Sequence, residues 1–223
     1  MERTIQIAGI KNLMEAKMLV DSGVEWLGFP LRLDVNTPDL TERQAAEVIR
    51  SLGSKTRAVI ITYLNGAREI LDFTGTLGTP YLQLHGPIKV HQLHLLRNSG
   101  KRLFIIKSLV VGESNKDQLV KGLQMYPPYV DAFITDTFDP HTGTRGATGK
   151  THDWSISGKI VEMSPRPVIL AGGLNHLNVR DAILAVKPAG VDSHTGVENK
   201  DGDKDPKLVR AFVSAAKSAF EEI

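Results

Sequence analysis

The chain has 223 residues, 41% hydrophobic and 23% charged, with 27 Lys and Arg against 25 Asp and Glu for a formal net charge of +2. That composition suits a globular protein with one substantial core; the basic residues are interspersed with acidic ones, and no stretch approaches the roughly 20 apolar residues of a membrane span, so neither nucleic acid nor membrane is an expected partner. There is no cysteine, which excludes disulfides, thiolate metal sites and a thiol nucleophile or base.

The first residues, from Met1 to Gln6, lack a basic start followed by an apolar run, and the cytoplasm is the expected location. From there, short apolar runs rich in β-branched residues recur: Thr4–Ala8, Glu25–Phe29, Ala58–Tyr63, Tyr81–Leu84, Leu103–Ile106, Ala132–Thr135, Val168–Ala171 and Gly190–Asp192. Between them the spacing turns helical, as in Leu13, Ala16, Lys17 and Val20, then Ala45, Val48, Ile49 and Leu52, and later Val179, Ala182, Ile183 and Val186. Asn12, Thr41, Thr151 or Asp153, and Asn175 are expected helix N-caps, and Gly23, Gly53 and Gly100 expected helix ends.

Continuously apolar strands indicate a parallel sheet covered on both faces, and eight strand–helix pairs can close it. The rival, an open doubly wound sheet, more often has five or six strands, and no G-x-G-x-x-G follows the first strand. The expected fold is therefore α/β, a single (β/α)8 TIM barrel over residues 1–223, slightly short against a typical length of about 250. Function in such barrels sits at the C-terminal ends of the strands.

At those ends glycines gather late in the chain: Gly146 and Gly149 after the sixth strand, Gly172 and Gly173 after the seventh, and Thr195-Gly196 after the eighth. Without a Cβ, glycine lets backbone N–H groups approach an anion, and a phosphate is expected at Gly149, Gly172, Gly173, Thr195 and Gly196. Any one of these glycines alone is equally explained by a tight turn. Asp136 ends the sixth strand and is a candidate general acid, or else a loop-capping aspartate; Asp192, ending the eighth, carries the same ambiguity. His85 and Lys107 end the fourth and fifth strands, from where both could reach a ligand; Lys107 is read as a structural or substrate-orienting ion pair ahead of a Schiff-base nucleophile, and His85 as a hydrogen-bonding group ahead of a metal ligand. His91 and His94 lack accompanying carboxylates and are expected on the surface, so no metal site is expected.

Taken together, Gln83–Gly86, Asp136–Thr137, Gly146–Trp154, Leu170–Leu174 with Asn178–Val179, and Asp192–Glu198 with Lys204–Asp205 resemble phosphoribosylanthranilate isomerase in order and spacing over essentially the whole chain. The resemblance implies an Amadori rearrangement of a phosphoribosyl-amine in tryptophan biosynthesis, without metal or organic cofactor. It implies Asp136 as the acid that protonates the departing ribose ring oxygen, glycine-containing loops on the phosphate, and His85 and Asp192 at other rim positions.

Three departures accompany it. The family's base is a cysteine in a first-strand lysine-x-cysteine-glycine motif, and here the motif reads Gln6-Ile7-Ala8-Gly9. A methyl cannot accept a proton, and such transfer is typically worth about 10²–10⁴-fold, about 3–5 kcal/mol of barrier. Where the family places an arginine for the anthranilate carboxylate, this chain has Leu31–Pro38, with Arg32 as the candidate substitute. His194 stands in place of a small serine; it, Asp34 and a bound water are the candidate replacement bases. The expected ligand is a phosphorylated, sugar-like small molecule, with oligomeric state left open. The alternatives to an isomerase are a non-catalytic phosphosugar-binding protein and a lyase or aldolase on the same barrel.

Overall fold

The computed structural model of the chain describes residues 3–33, 39–111, 116–137 and 153–223. Eight strands alternate with eight helices: β1 (Thr4–Ala8), α1 (Leu13–Asp21), β2 (Trp26–Pro30), α2 (Glu42–Ser51), β3 (Arg57–Thr62), α3 (Ala67–Leu77), β4 (Tyr81–Leu84), α4 (Val90–Arg97), β5 (Phe104–Val111), α5 (Lys116–Met125), β6 (Ala132–Thr137), α6 (Trp154–Met163), β7 (Val168–Leu170), α7 (Val179–Val186), β8 (Gly190–Ser193) and α8 (Pro206–Glu221), with a 3-10 turn at Thr195–Val197. The strands pair in parallel in chain order, and β8 closes onto β1 through Gln6 opposite Asp192. This is the expected (β/α)8 barrel. None of the described helices is long and apolar enough to cross a membrane.

Strand parity sorts the core into two layers, because successive side chains point to opposite faces. Ile7, Phe29, Ile60, Leu84, Ile105, Phe133, Leu170 and Val191 face the helices, whereas Ala8, Trp26, Val59, Ile61, Ile106, Ile134, Ile169 and Ala171 fill the barrel interior. Trp26, with Tyr81 and Phe104 edge-on at 5.5 Å each, plugs the end away from the rim. The interior is tight at Gly28: a Cβ there would lie 2.8 Å from Ile61 Cδ1 and 2.9 Å from the Ala8 Cβ.

Helix starts follow the cap chemistry at three expected positions. Asn12 accepts from the Glu15 N–H, Thr41 forms a capping box with Gln44, and Asp153 accepts from the Ser155 N–H. At α7 the expectation is corrected: the N-cap is Asn178, and Asn175 instead accepts from the Leu177 N–H within the preceding loop. Gly23 and Gly100 lie just beyond helix ends with left-handed φ of 88° and 78°, but the residue capping α2 is Leu52, and Gly53 has no left-handed φ. The strands match to within two residues except β5, which begins one residue late and continues to Val111 rather than stopping at Ile106.

Candidate active site

The rim of the barrel between β3 and β6 carries a compact polar cluster. Asp136, the penultimate residue of β6, lies on the interior face in parity with Ile134, and its Oδ2 is 3.8 Å from Nδ1 of His85, just past β4. That same Nδ1 is 3.1 Å from Ser108 Oγ on β5, and the imidazole packs tilted at 57° against the Tyr63 ring after β3, with 4.9 Å between ring centroids. The histidine is thereby oriented by two neighbours toward the carboxylate, whose side chain is 14% exposed. Ser108 and Tyr63 were not singled out from the sequence; the signal for Ser108 is a polar residue two positions after Ile106 on a strand that continues past it.

The adjoining part of the rim is glycine-built. Gly172 and Gly173 follow β7 with left-handed φ of 103° and 65°, conformations that L side chains rarely adopt. Asn178 fixes this loop by donating to the Gly173 carbonyl at 3.0 Å and accepting from the Asn175 N–H at 2.8 Å. Ser193 Oγ donates to the Leu174 carbonyl at 2.7 Å, and a Cβ on Gly196 would collide with that same carbonyl. The loops after β7 and β8 therefore touch backbone to backbone, with Gly172, Gly173, Thr195 and Gly196 on neighbouring turns of one rim. Gly149 lies outside the described residues, as does Asp34.

Beside the glycine-built loops stands Asp192, on the interior face of β8 and paired with Gln6 of β1. Its Oδ1 is buried with no hydrogen-bond partner among the described residues, and burial raises its carboxyl to about 7 against the opposing effects of Gln6 and the Lys204 charge. Gln6 donates to Gln83 Oε1 across the barrel at 3.0 Å, while its own Oε1 is also buried without a partner among the described residues. Ala8 lies on the same face of β1, two residues beyond Gln6, and is 4% exposed.

His194 lies against the end of β1, its imidazole filling the space a side chain on Gly9 would need. Its Nε2 is 3.6 Å from Glu198 Oε1, and that oxygen accepts from Lys204 Nζ at 2.6 Å. Burial, reinforced by the positive charges of Lys204 and Lys11, pushes the imidazole down to about 3. It is neutral at neutral pH and a weak base.

Two expectations are corrected. Lys107 shares the parity of Ile105 and Leu109 and faces the helices, not the barrel mouth. Its Nζ donates to the carbonyls of Leu84 at 3.1 Å and Ser108 at 2.9 Å, lies 5.9 Å from the Tyr126 ring, and is pushed down to about 7 by burial alone. Arg32, with a left-handed φ of 50°, turns away to the seam of α2 and α3. There Nε and Nη2 donate to Glu42 at 2.7 and 3.1 Å and Nη1 to Glu69 at 3.0 Å, while the guanidinium stacks 4.2 Å over Phe73. A fork committed to two carboxylates is not presented to a ligand in the barrel mouth. As expected, His91 and His94 are exposed on α4.

Residues 5–215 match the family described as N-(5'-phosphoribosyl)anthranilate (PRA) isomerase. The chain is 35% identical to N-(5'-phosphoribosyl)anthranilate isomerase 2 of Methanosarcina mazei, over 98% of this chain and 96% of that one. The crystal structure of phosphoribosyl anthranilate isomerase from Thermotoga maritima superposes with a TM-score of 0.81 at 29% identity, covering 96% of this chain and 98% of that one. A further isomerase structure, solved in complex with reduced 1-(o-carboxyphenylamino)-1-deoxyribulose 5-phosphate, gives a TM-score of 0.79 at 26% identity with the same coverage.

Proposed function

The chain belongs to the N-(5'-phosphoribosyl)anthranilate isomerase family, and from that premise we propose that it catalyses the aldose–ketose rearrangement of a phosphoribosyl-amine, N-(5'-phosphoribosyl)anthranilate being the first substrate to test. The observation that carries this reading is Asp136, a rim carboxyl on the interior face, 3.8 Å from an oriented His85. A carboxylic acid so placed can protonate the ribose ring oxygen as the C1–O bond breaks, leaving an imine that is protonated on nitrogen. Loss of the C2 proton gives the enamine, and ketonisation with protonation at C1 gives the aminoketose. The reaction is an isomerisation and needs no external oxidant or reductant.

The turns at Gly172, Gly173, Thr195 and Gly196 are the proposed seat of the 5'-phosphate, because tightly approaching backbone can present N–H groups to an anion. The same reading makes a phosphorylated small molecule, not nucleic acid, the partner, and the cytoplasm the location. A lyase working through a Lys107 imine is disfavoured by the outward parity of that residue. Ala8 is the one feature favouring a protein that binds without turning over. Growth complementation decides between them: a tryptophan auxotroph lacking this isomerase should grow with the parent chain and not with Asp136→Ala. Failure of the parent chain, expressed and folded, would oppose the isomerase reading.

A further inference from the structure

The isomerase reading leaves the C2 proton without an acceptor, since Ala8 stands where the family's cysteine is expected. We propose that Asp192 is the general base of this chain and removes that proton, a proposal that rests on the isomerase reading. The register supports it. Ile134, Ile169 and Gly190 pair across β6, β7 and β8, so two residues further on Asp136, Ala171 and Asp192 fall in one row on the interior face. Acid and base thus occupy the same level on strands flanking β7, with only the small side chain of Ala171 between them. Two inter-strand spacings, roughly 10 Å between the Cα atoms, leave room for a sugar between the carboxyl groups. On its other side Asp192 pairs with Gln6 of β1, two residues before Ala8 on the same face.

The chemistry of the group agrees with its position. Oδ1 of Asp192 is buried and lacks a partner among the described residues, so one oxygen is uncommitted. Burial brings its carboxyl to about 7, where a general base works best at neutral pH. Among the described residues, the groups facing it are uncharged Gln6 on β1, apolar Ala171 just past β7, and Lys204 after β8, whose charge opposes the rise. His85 is engaged with Ser108 and Asp136, and His194, pushed down to about 3, is too weak a base.

The C2–H bond breaks and its electron pair forms C1=C2, the imine π pair returns to nitrogen, and the proton passes to Asp192. Asp192 then returns a proton to C1 while Asp136, a carboxylate since ring opening, takes the enol hydroxyl proton, restoring both groups.

The test is steady-state kinetics with N-(5'-phosphoribosyl)anthranilate on the parent, Asp192→Asn, and Asp192→Asn combined with Ala8→Cys. Asp192→Asn is expected to lose about 100-fold or more in kcat, and the added thiol to restore at least about tenfold of it. In the parent, kcat/KM should rise with pH through an acid limb near 7, and in the double variant that limb should move toward the thiol range, about 8.5. An Asp192→Asn variant that keeps kcat within about threefold, or whose loss falls on KM alone, overturns the proposal. Should Asp192→Asn fail to fold, a parent profile flat between about pH 5.5 and 8.5 overturns it instead. A parent without turnover rejects the isomerase reading itself, whereas an active parent with an active Asp192→Asn rejects only Asp192.

Discussion

Lys107 and Asp192 both titrate near 7, yet they sit on opposite faces of the barrel wall and do different things. Asp192 faces the rim, where an ionisable group near neutrality can work; Lys107 faces the helices, where it is a cost. A lysine lowered from 10.5 to about 7 is charged in the unfolded chain at pH values where the folded chain holds it neutral. The penalty is therefore complete below about 7, shrinks as pH rises, and vanishes above 10.5. Replacing Lys107 by Met forfeits two hydrogen bonds to carbonyls but removes this penalty, for a net gain on the order of 2 kcal/mol at pH 7. Urea unfolding at pH 7 and pH 10 should show that gain and its decline; a variant less stable than the parent at pH 7 would contradict the assignment. Arg32 offers the complementary test. Its partners Glu42 and Glu69 are 41% and 56% exposed, so Arg32→Ala should cost only about 1 kcal/mol in stability and leave KM within about twofold. A KM raised tenfold or more would return Arg32 to the substrate.

The loops after β7 and β8 act as one element because Gly196 lies against the Leu174 carbonyl and Ser193 donates to it. Gly196→Ala drives a Cβ into that carbonyl and must part the loops, so KM for the phosphorylated substrate should rise about tenfold, equivalent to about 1.4 kcal/mol, with kcat less affected. An unchanged KM would remove the two loops from the phosphate site. The strands themselves were legible in the sequence because parallel strands buried on both faces are short apolar runs between turn residues. That same continuity hides parity: a run apolar on both faces does not say which residues point inward, and Lys107 was misread for this reason. The true extent of β5, through Lys107 and Ser108 to Val111, was hidden by its two polar residues. The start of α7 was misjudged because Asn175 and Asn178 are both cap-competent, and the loop chose the second as N-cap while its side chain braces Gly173.

At the scale of the whole molecule, alternation of eight strands and helices sufficed for the barrel, and the strand-end motifs sufficed for the family. The pairing of His85 with Asp136 and the shared row of Asp136, Ala171 and Asp192 required the closed register, since these residues are brought together from separate strands. Ala8 places a methyl at the end of β1, on the interior face that also carries Asp136 of β6 and Asp192 of β8. The proposed isomerase turns over a phosphoribosyl-amine through Asp136, with Ala8 in place of a thiol. The most direct measurement is the fluorescence decay of N-(5'-phosphoribosyl)anthranilate with the purified parent chain beside Asp136→Ala. Turnover by the parent that falls about 10²–10⁴-fold in the variant is the predicted result; equal rates in the two proteins, or no turnover by the parent, would contradict it.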